Sequence, residues 1–206
     1  RERGVEVQIL EAGLGGRRDG VRPTSPTHAV VTGVGFDHPK SLGPTLRHIA
    51  AEKLDVCEPG RGNVVNLPVK LRDMTPDCWL MTRDVRYRTL PDGLRVWTPE
   101  RTVTTGRPVL AGGHQRANAA IAIAAAVRMG LSDHAIATGL QRVRWPARMQ
   151  KIGDQPPTWL DGAHNLQAVG RLKKTLAEVG VGAGYTLVYG AHTRKNAPAM
   201  LRRLAE

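Results

Sequence analysis

The sequence predicts an α/β chain made of two successive α/β units, and three observations carry that reading. In the first two-thirds, short Val- and Thr-rich stretches alternate with segments whose apolar residues recur at helical spacing. An Ala-rich helical run is then broken at Trp145-Pro146. Beyond it a strand, helix, strand, helix pattern starts afresh.

The elements follow in order. Residues 5–10 (VEVQIL) are β-prone and end at the glycines of EAGLGGRRDG; residues 28–34 form a second Val- and Thr-rich strand. After GFDHPKSLGP a helix is predicted over residues 45–56, with Leu46, Ile49, Ala50, Lys53 and Leu54 at helical spacing and Pro59-Gly60 as its stop. Short strands are expected at 63–66, 78–81, 85–89 and 93–98, the last two joined through the Pro91-Asp92-Gly93 turn. A long Ala-rich helix spans 114–129 and ends at Gly130, and a second, amphipathic one runs from the N-cap Ser132 to 143. Residues 154–157 read as a linker, followed by a strand at 158–160, a helix at 166–179, a strand at 185–189 and a helix at 197–205.

Composition excludes several classes. The apolar share is 41% and the charged share 23%, so the chain folds. Its longest apolar run, residues 119–127, is too short and Ala-rich to cross a bilayer, and no signal-peptide pattern opens the chain, so a soluble cytoplasmic protein without membrane partners is expected. Cys57 and Cys78, without a CxxC pair or a matching His cluster, read as core thiols. Thirty Lys and Arg against eighteen Asp and Glu leave a net charge of +12, which favours anionic partners without naming one. The basic residues are dispersed and no aromatic nucleic-acid signature accompanies them, so no nucleic-acid partner is expected. The chain begins at Arg1, not Met, and enters a strand pattern within five residues, which suggests a piece of a longer protein.

Two sites draw attention. Glu11 stands at a strand end before a Gly-rich turn, where side chain and backbone can both reach a ligand. His38, in Asp37-His38 at the end of the next strand, would lie at the same sheet edge, so a carboxylate oxygen and an imidazole nitrogen could share a divalent ion. By spacing alone an unexceptional strand-to-loop turn explains Glu11 equally well, and a lone His such as His38 is more often structural.

Five motifs, taken together and in order, resemble a known family: EAGLGGRRD, GFDHPKSLGPTLRHIAAEK, LAGGHQRANAA, WPARMQ and LDGAHN. They are similar to those of folylpolyglutamate and dihydrofolate synthases in the Mur ligase superfamily, over residues 6–204. The resemblance implies a partial Mur-ligase-like central ATPase domain at 1–147, followed by the start of a Rossmann-like C-terminal domain at 148–206, with a nucleotide bound between them. It implies an ADP-forming ligase that joins glutamate to a folate or dihydropteroate carboxylate through an acyl phosphate, working as a monomer. By resemblance Glu11 and His38 are magnesium ligands, and Lys53 is carbamylated, which turns a cation into an anionic metal ligand. Asn118 would face adenine, an amide being able to donate and accept as adenine requires. Arg148 would point to phosphate, Asp161 to ribose, and His164 would close over the nucleotide; Lys53 and His164 are the groups expected to act in catalysis. Lys195 is a further phosphate-side candidate.

This sequence also departs from the pattern. It has no GxxxxGK[ST] phosphate loop, which the resembled family carries upstream of the position of Glu11, so these 206 residues alone are expected to be inactive. Arg22 stands where Asn is usual, Asp55 where a small residue is typical, and Glu58 where Lys is common; Leu166 replaces a Pro, and Arg194 and Asn196 replace two acids beside Lys195. A muramyl-peptide ligase of the same superfamily, a degenerate family member and a noncatalytic basic binding protein are the competing readings.

Overall fold

In the computed structural model, which describes residues 4–75, 77–182, 184–192 and 195–205, the chain forms two compact units. One comprises the residues up to Arg86 with Trp97–Arg101 and Ile121–Leu131. The other comprises Tyr87–Val96, Thr102–Ala120 and the residues from Ser132 on.

The first unit is built on a parallel sheet of three short strands, β1 (Val30–Val31), β2 (Val64–Val65) and β3 (Trp79–Leu80), in sequence order. Val31 faces Val65, and Val65 faces Leu80. Both β2 residues are fully buried, as expected of a parallel strand covered on both faces. The crossover from β1 to β2 carries helices α1 (Pro39–Leu42) and α2 (Leu46–Leu54), and a 3₁₀ turn at Val69–Met74 leads to β3. Thr45 starts α2 by accepting the amide of His48, and Ile49, Ala50 and Leu54 bury its inner stripe against Val31, Val65, Leu71 and Leu80. Each such fully buried aliphatic side chain contributes about 1.5–3 kcal/mol.

The second unit holds, except for the end residues Arg86 and Trp97, which belong to the first, a three-stranded sheet of β4 (Arg86–Thr89), β5 (Gly93–Trp97) and β6 (Thr102–Gly106), in that order. The Leu90 amide donates to the Gly93 carbonyl at the predicted hairpin turn. Leu94, Val96 and Val103 are fully buried while Arg95, Thr102 and Thr104 face out, the period-2 pattern of a half-buried sheet. Helix α3 (Gly113–Arg128) contributes its residues to Ala120 to this unit and those from Ile121 to the first. Helix α4 (Asp133–Gln141) is capped by Ser132 as predicted. A two-stranded antiparallel ribbon, β7 (Gln150–Asp154) with β8 (Pro157–Leu160), precedes α5 (Leu166–Glu178) and α6 (Ala197–Ala205). The last two helices pack through Val169, Met200 and Leu204.

Three expectations about elements are corrected. Residues 5–10 pair with no described strand; Ile9 is 91% exposed, and without a partner ladder β-propensity does not make a strand. Residues 185–189 form no strand either: the Tyr185 hydroxyl donates to the Leu204 carbonyl, and Val188 stands 93% exposed. The predicted linker at 154–157 is the turn of the β7–β8 ribbon. Strand β8 matches the strand expected at 158–160, whereas β7 and β6 were missed because their largely exposed residues carry little apolar signal.

Candidate functional site

In the first unit, Glu11, His38 and Lys53 come from three segments that the glycines draw together. A Cβ on Gly16 would sit 2.8 Å from the Glu52 carbonyl oxygen and 3.1 Å from that of Lys53, so only glycine lets the loop after Glu11 lie on α2. Gly15, at φ +71°, leaves room for Leu42 of α1, whose cap is His38. Arg17 N–H donates to the Glu52 carbonyl at 3.0 Å. The loop is closed on itself by Asp19, whose carboxylate accepts the amides of Gly13, Leu14 and Val21 at 2.9, 3.1 and 3.0 Å. The Leu14 amide first, then that of Val21, holds this carboxyl below the usual range.

The Glu11 carboxylate and the Lys53 ammonium have no hydrogen bond or ion pair among the described residues. His38 is exposed, at φ 51°, with Nε2 3.8 Å from Asp37 Oδ1. None of the three side chains bonds to another. Among the described residues no three His, Cys, Asp or Glu side chains form a metal-ready group. Two open donors, Glu11 and His38, therefore suit a divalent ion only with a further anionic ligand, and a carbamylated Lys53 has that chemistry.

The second unit gathers the other candidates. Asp161, just after β8, accepts the Met149 amide at 2.9 Å through Oδ2 and the Ala163 amide at 2.9 Å through Oδ1, tying the WPARMQ segment to the LDGAHN segment. The Gly162 amide donates to the Ala147 carbonyl at 2.8 Å. Arg148 thus sits between Ala147 at φ 56° and Met149 at φ 47°, two left-handed non-glycine residues whose strain those bonds hold in place. Gly162 also leaves space for the guanidinium: a Cβ there would be 2.9 Å from Arg148 Nη1. Arg148 is exposed and has no ion pair among the described residues, so its charge is open to an anion. His164 is exposed, its Nδ1 2.9 Å from the Gly162 carbonyl. Asn118 is exposed on α3 and donates to Gln115 Oε1 at 3.0 Å, leaving its carbonyl oxygen open. Lys195 is half-buried before α6, and its amide donates to the His192 carbonyl.

The sequence reading passed over His114, Arg116, Arg171 and Glu178. His114 lies in the electrostatic reach of Arg171, Asp161, Glu178 and Arg148; burial chiefly, then Arg171, pushes its imidazole below the ordinary value. Arg116 pairs with Glu178 at 3.0 Å, and that carboxylate also accepts the Gly113 amide at 3.3 Å, so the end of α5 caps the start of α3. His114 could have been found from HQRANAA itself; Arg171 and Glu178 carry no sequence signal.

No family model matches the chain. Among curated proteins it is 30% identical over 226 residues to a dihydrofolate synthase/folylpolyglutamate synthase of Bacillus subtilis, covering 97% of this chain and 51% of that protein. It is also 30% identical over 232 residues to the folylpolyglutamate synthase of Lacticaseibacillus casei, covering 99% and 52%. The chain spans about half the length of these curated relatives. Among solved structures, Escherichia coli FolC in complex with DHPP and ADP superposes with a TM-score of 0.84 at 27% identity, over 95% of this chain and 49% of that one. A Yersinia pestis bifunctional folylpolyglutamate synthase/dihydrofolate synthase with AMPPNP and a Mn ion superposes at 0.82 and 30% identity, over 96% and 49%. The chain therefore has the α/β architecture of the Mur-ligase class. Within that class its similarity is to folylpolyglutamate and dihydrofolate synthases.

Proposed function

We propose that these residues form part of an ATP-dependent, ADP-forming ligase that adds L-glutamate to dihydropteroate or a folate. In that chemistry the pterin-linked carboxylate takes the γ-phosphoryl group of ATP, giving an acyl phosphate and ADP. The glutamate amine then attacks the acyl carbon and phosphate leaves. Little covalent work falls to the protein, which must position reactants and offset phosphate charge. The observation that carries the reading is the likeness, over nearly the whole chain, to solved ligases that hold ADP or an ATP analogue.

The residues divide the task by chemistry. Arg148, unpaired and held by a strained backbone, offers a planar fork to phosphate. Asn118 has an open carbonyl oxygen for the adenine amino group. Asp161 keeps lone pairs beyond its two backbone bonds for a ribose hydroxyl. His164 and Lys195 add polar groups on the same unit. Glu11, His38 and a carbamylated Lys53 would hold magnesium, which when bound neutralises phosphate charge. The division into residues 1–147 and 148–206, a cytoplasmic location, and a monomer that binds neither nucleic acid nor membrane are part of the same reading.

The test is ADP release by the natural full-length protein containing these residues, with L-glutamate and either dihydropteroate or a reduced folate. Acceptor-dependent release is expected, and Glu11→Ala and Arg148→Ala should each lower kcat/KM by on the order of 10²–10³. No turnover on any pterin acceptor would refute the assignment.

A further inference from the structure

The loop after Glu11 is held to α2 by more than its glycines. Arg22 Nε lies 3.0 Å from Asp55 Oδ2 and its Nη1 2.8 Å from Glu58 Oε1. Arg17 Nε lies 3.2 Å from Asp55 Oδ1, and its Nη1 3.5 Å from Glu52 Oε1. Arg61 approaches the other Glu58 oxygen at 3.6 Å. The backbone under Glu58 is anchored in turn, since the fully buried Asn63 amide donates to its carbonyl at 2.7 Å and to that of Asp77 at 2.8 Å. Arg22, Asp55 and Glu58 are three of the departures from the resembled pattern, and in the fold they pair with one another. Without Asp55 and Glu58 the Arg22 guanidinium would lose both of its carboxylate contacts.

We infer that Arg22, supported by Arg17, is a positioning residue: through Asp55, Glu58 and Glu52 it clamps the glycine loop to the end of α2 and so sets the segment of Glu11 against the helix of Lys53. The clamp also engages Glu52, Asp55 and Glu58, the carboxylates nearest Lys53 in sequence, and among the described residues the Lys53 amine has no acidic partner. A network that joins several charges through a two-pronged guanidinium holds geometry that isolated surface pairs do not. The consequence for Lys53 rests on the metal reading above; the clamp itself does not.

Hydrogen exchange on the 206-residue chain tests it. The Arg17 amide, bonded to the Glu52 carbonyl, reports loop seating, and the Val64 and Met81 amides, bonded to the Ala29 and Val65 carbonyls, report the sheet. Arg22→Ala is expected to speed exchange at Arg17 about tenfold while the sheet amides keep their protection. Asp55→Ala with Glu58→Ala should do the same, and adding Arg22→Ala to that pair should do little more, because the groups act as one unit. Arg22→Lys should restore protection only in part, since an ammonium is a single point charge. Unchanged exchange at Arg17 in Arg22→Ala, or a rise spread equally over the sheet, would overturn the clamp. Titration with Mn²⁺ alone supplies the second arm, with weaker binding expected in Arg22→Ala. A wild-type chain that binds no Mn²⁺ would sink the metal reading, and exchange at Arg17 then decides the clamp by itself.

Discussion

Arg148 and His114 show how much of this protein's chemistry depends on what surrounds single residues. The Arg148 guanidinium, with no ion pair among the described residues and on a backbone held left-handed at both flanks, is a charge kept available. His114 is the opposite case. Burial first, and the Arg171 guanidinium next, favour its neutral form, with Asp161 and Glu178 opposing. Its proton affinity is thus lower folded than unfolded, so its contribution to stability is complete above the ordinary histidine value and is lost as pH falls below about 6.5. Between about pH 7.5 and about pH 5.5 the wild-type Tm should fall further than that of His114→Gln; equal falls would show that the imidazole contributes nothing. The two thiols are likewise governed by surroundings. Burial pushes Cys57 up to about 12 and Cys78 up to about 11, so neither forms a nucleophilic thiolate near neutral pH. Both should resist alkylation at about pH 8 until denaturant is added, and fast labelling of the native chain would contradict that.

At the scale of elements, the glycine loop and the helix caps decide what holds. A Cβ at Gly16 would meet the Glu52 carbonyl oxygen and a Val56 methyl at 2.8 Å, neither of which can swing aside as a long side chain does. Gly16→Ala should therefore cost about 1–3 kcal/mol by urea unfolding. Gly162→Ala would press closely on the movable end of Arg148 and touch the Ala147 carbonyl oxygen at an ordinary 3.4 Å, so its cost should stay within about 0.5 kcal/mol. A comparable loss for both substitutions would mean that loop packing on α2 is not as tight as the contacts imply. Helix α5 begins at Asn165, whose Oδ1 accepts the Ala168 amide at 2.8 Å. Asn165→Ala should lower stability by about 1 kcal/mol, and Asn165→Asp should retain most of it.

At the scale of the whole chain, Arg17, Arg22, Arg47, Arg61, Arg83 and Arg116 each face a carboxylate, and those pairs are neutral. The excess of +12 therefore lies on other basic residues, which are dispersed along the sequence and carry no aromatic nucleic-acid signature beside them. Retention of single-stranded DNA on a filter should accordingly vanish by about 0.15 M salt. Tight retention persisting there, independent of nucleotide, would favour the basic binding-protein reading over the ligase. Among the described residues no helix is long and apolar enough to cross a membrane.

The sequence by itself determined the α/β class, the helices at α2 to α6 to within a few residues, the N-cap Ser132, and the motifs that lead to the folyl-ligase resemblance. These rest on helical periodicity and short-range capping, which operate within a turn or two of chain. Tertiary structure decided the rest. Residues 5–10 and 185–189 have strand composition and no strand, because a strand exists only with a partner ladder that local sequence does not encode. Strand β7 exists despite weak apolar patterning, because its backbone pairs with the predicted strand β8 across a tight turn. Glu11, Arg148 and Asp161 were legible as motif residues, whereas His114, Arg171 and Glu178 gained their roles from neighbours far away in the chain. So did the pairing of Arg22 with Asp55 and Glu58, more than thirty residues distant. Electrostatic partnership is a property of distance in space, and only the folded chain sets that distance.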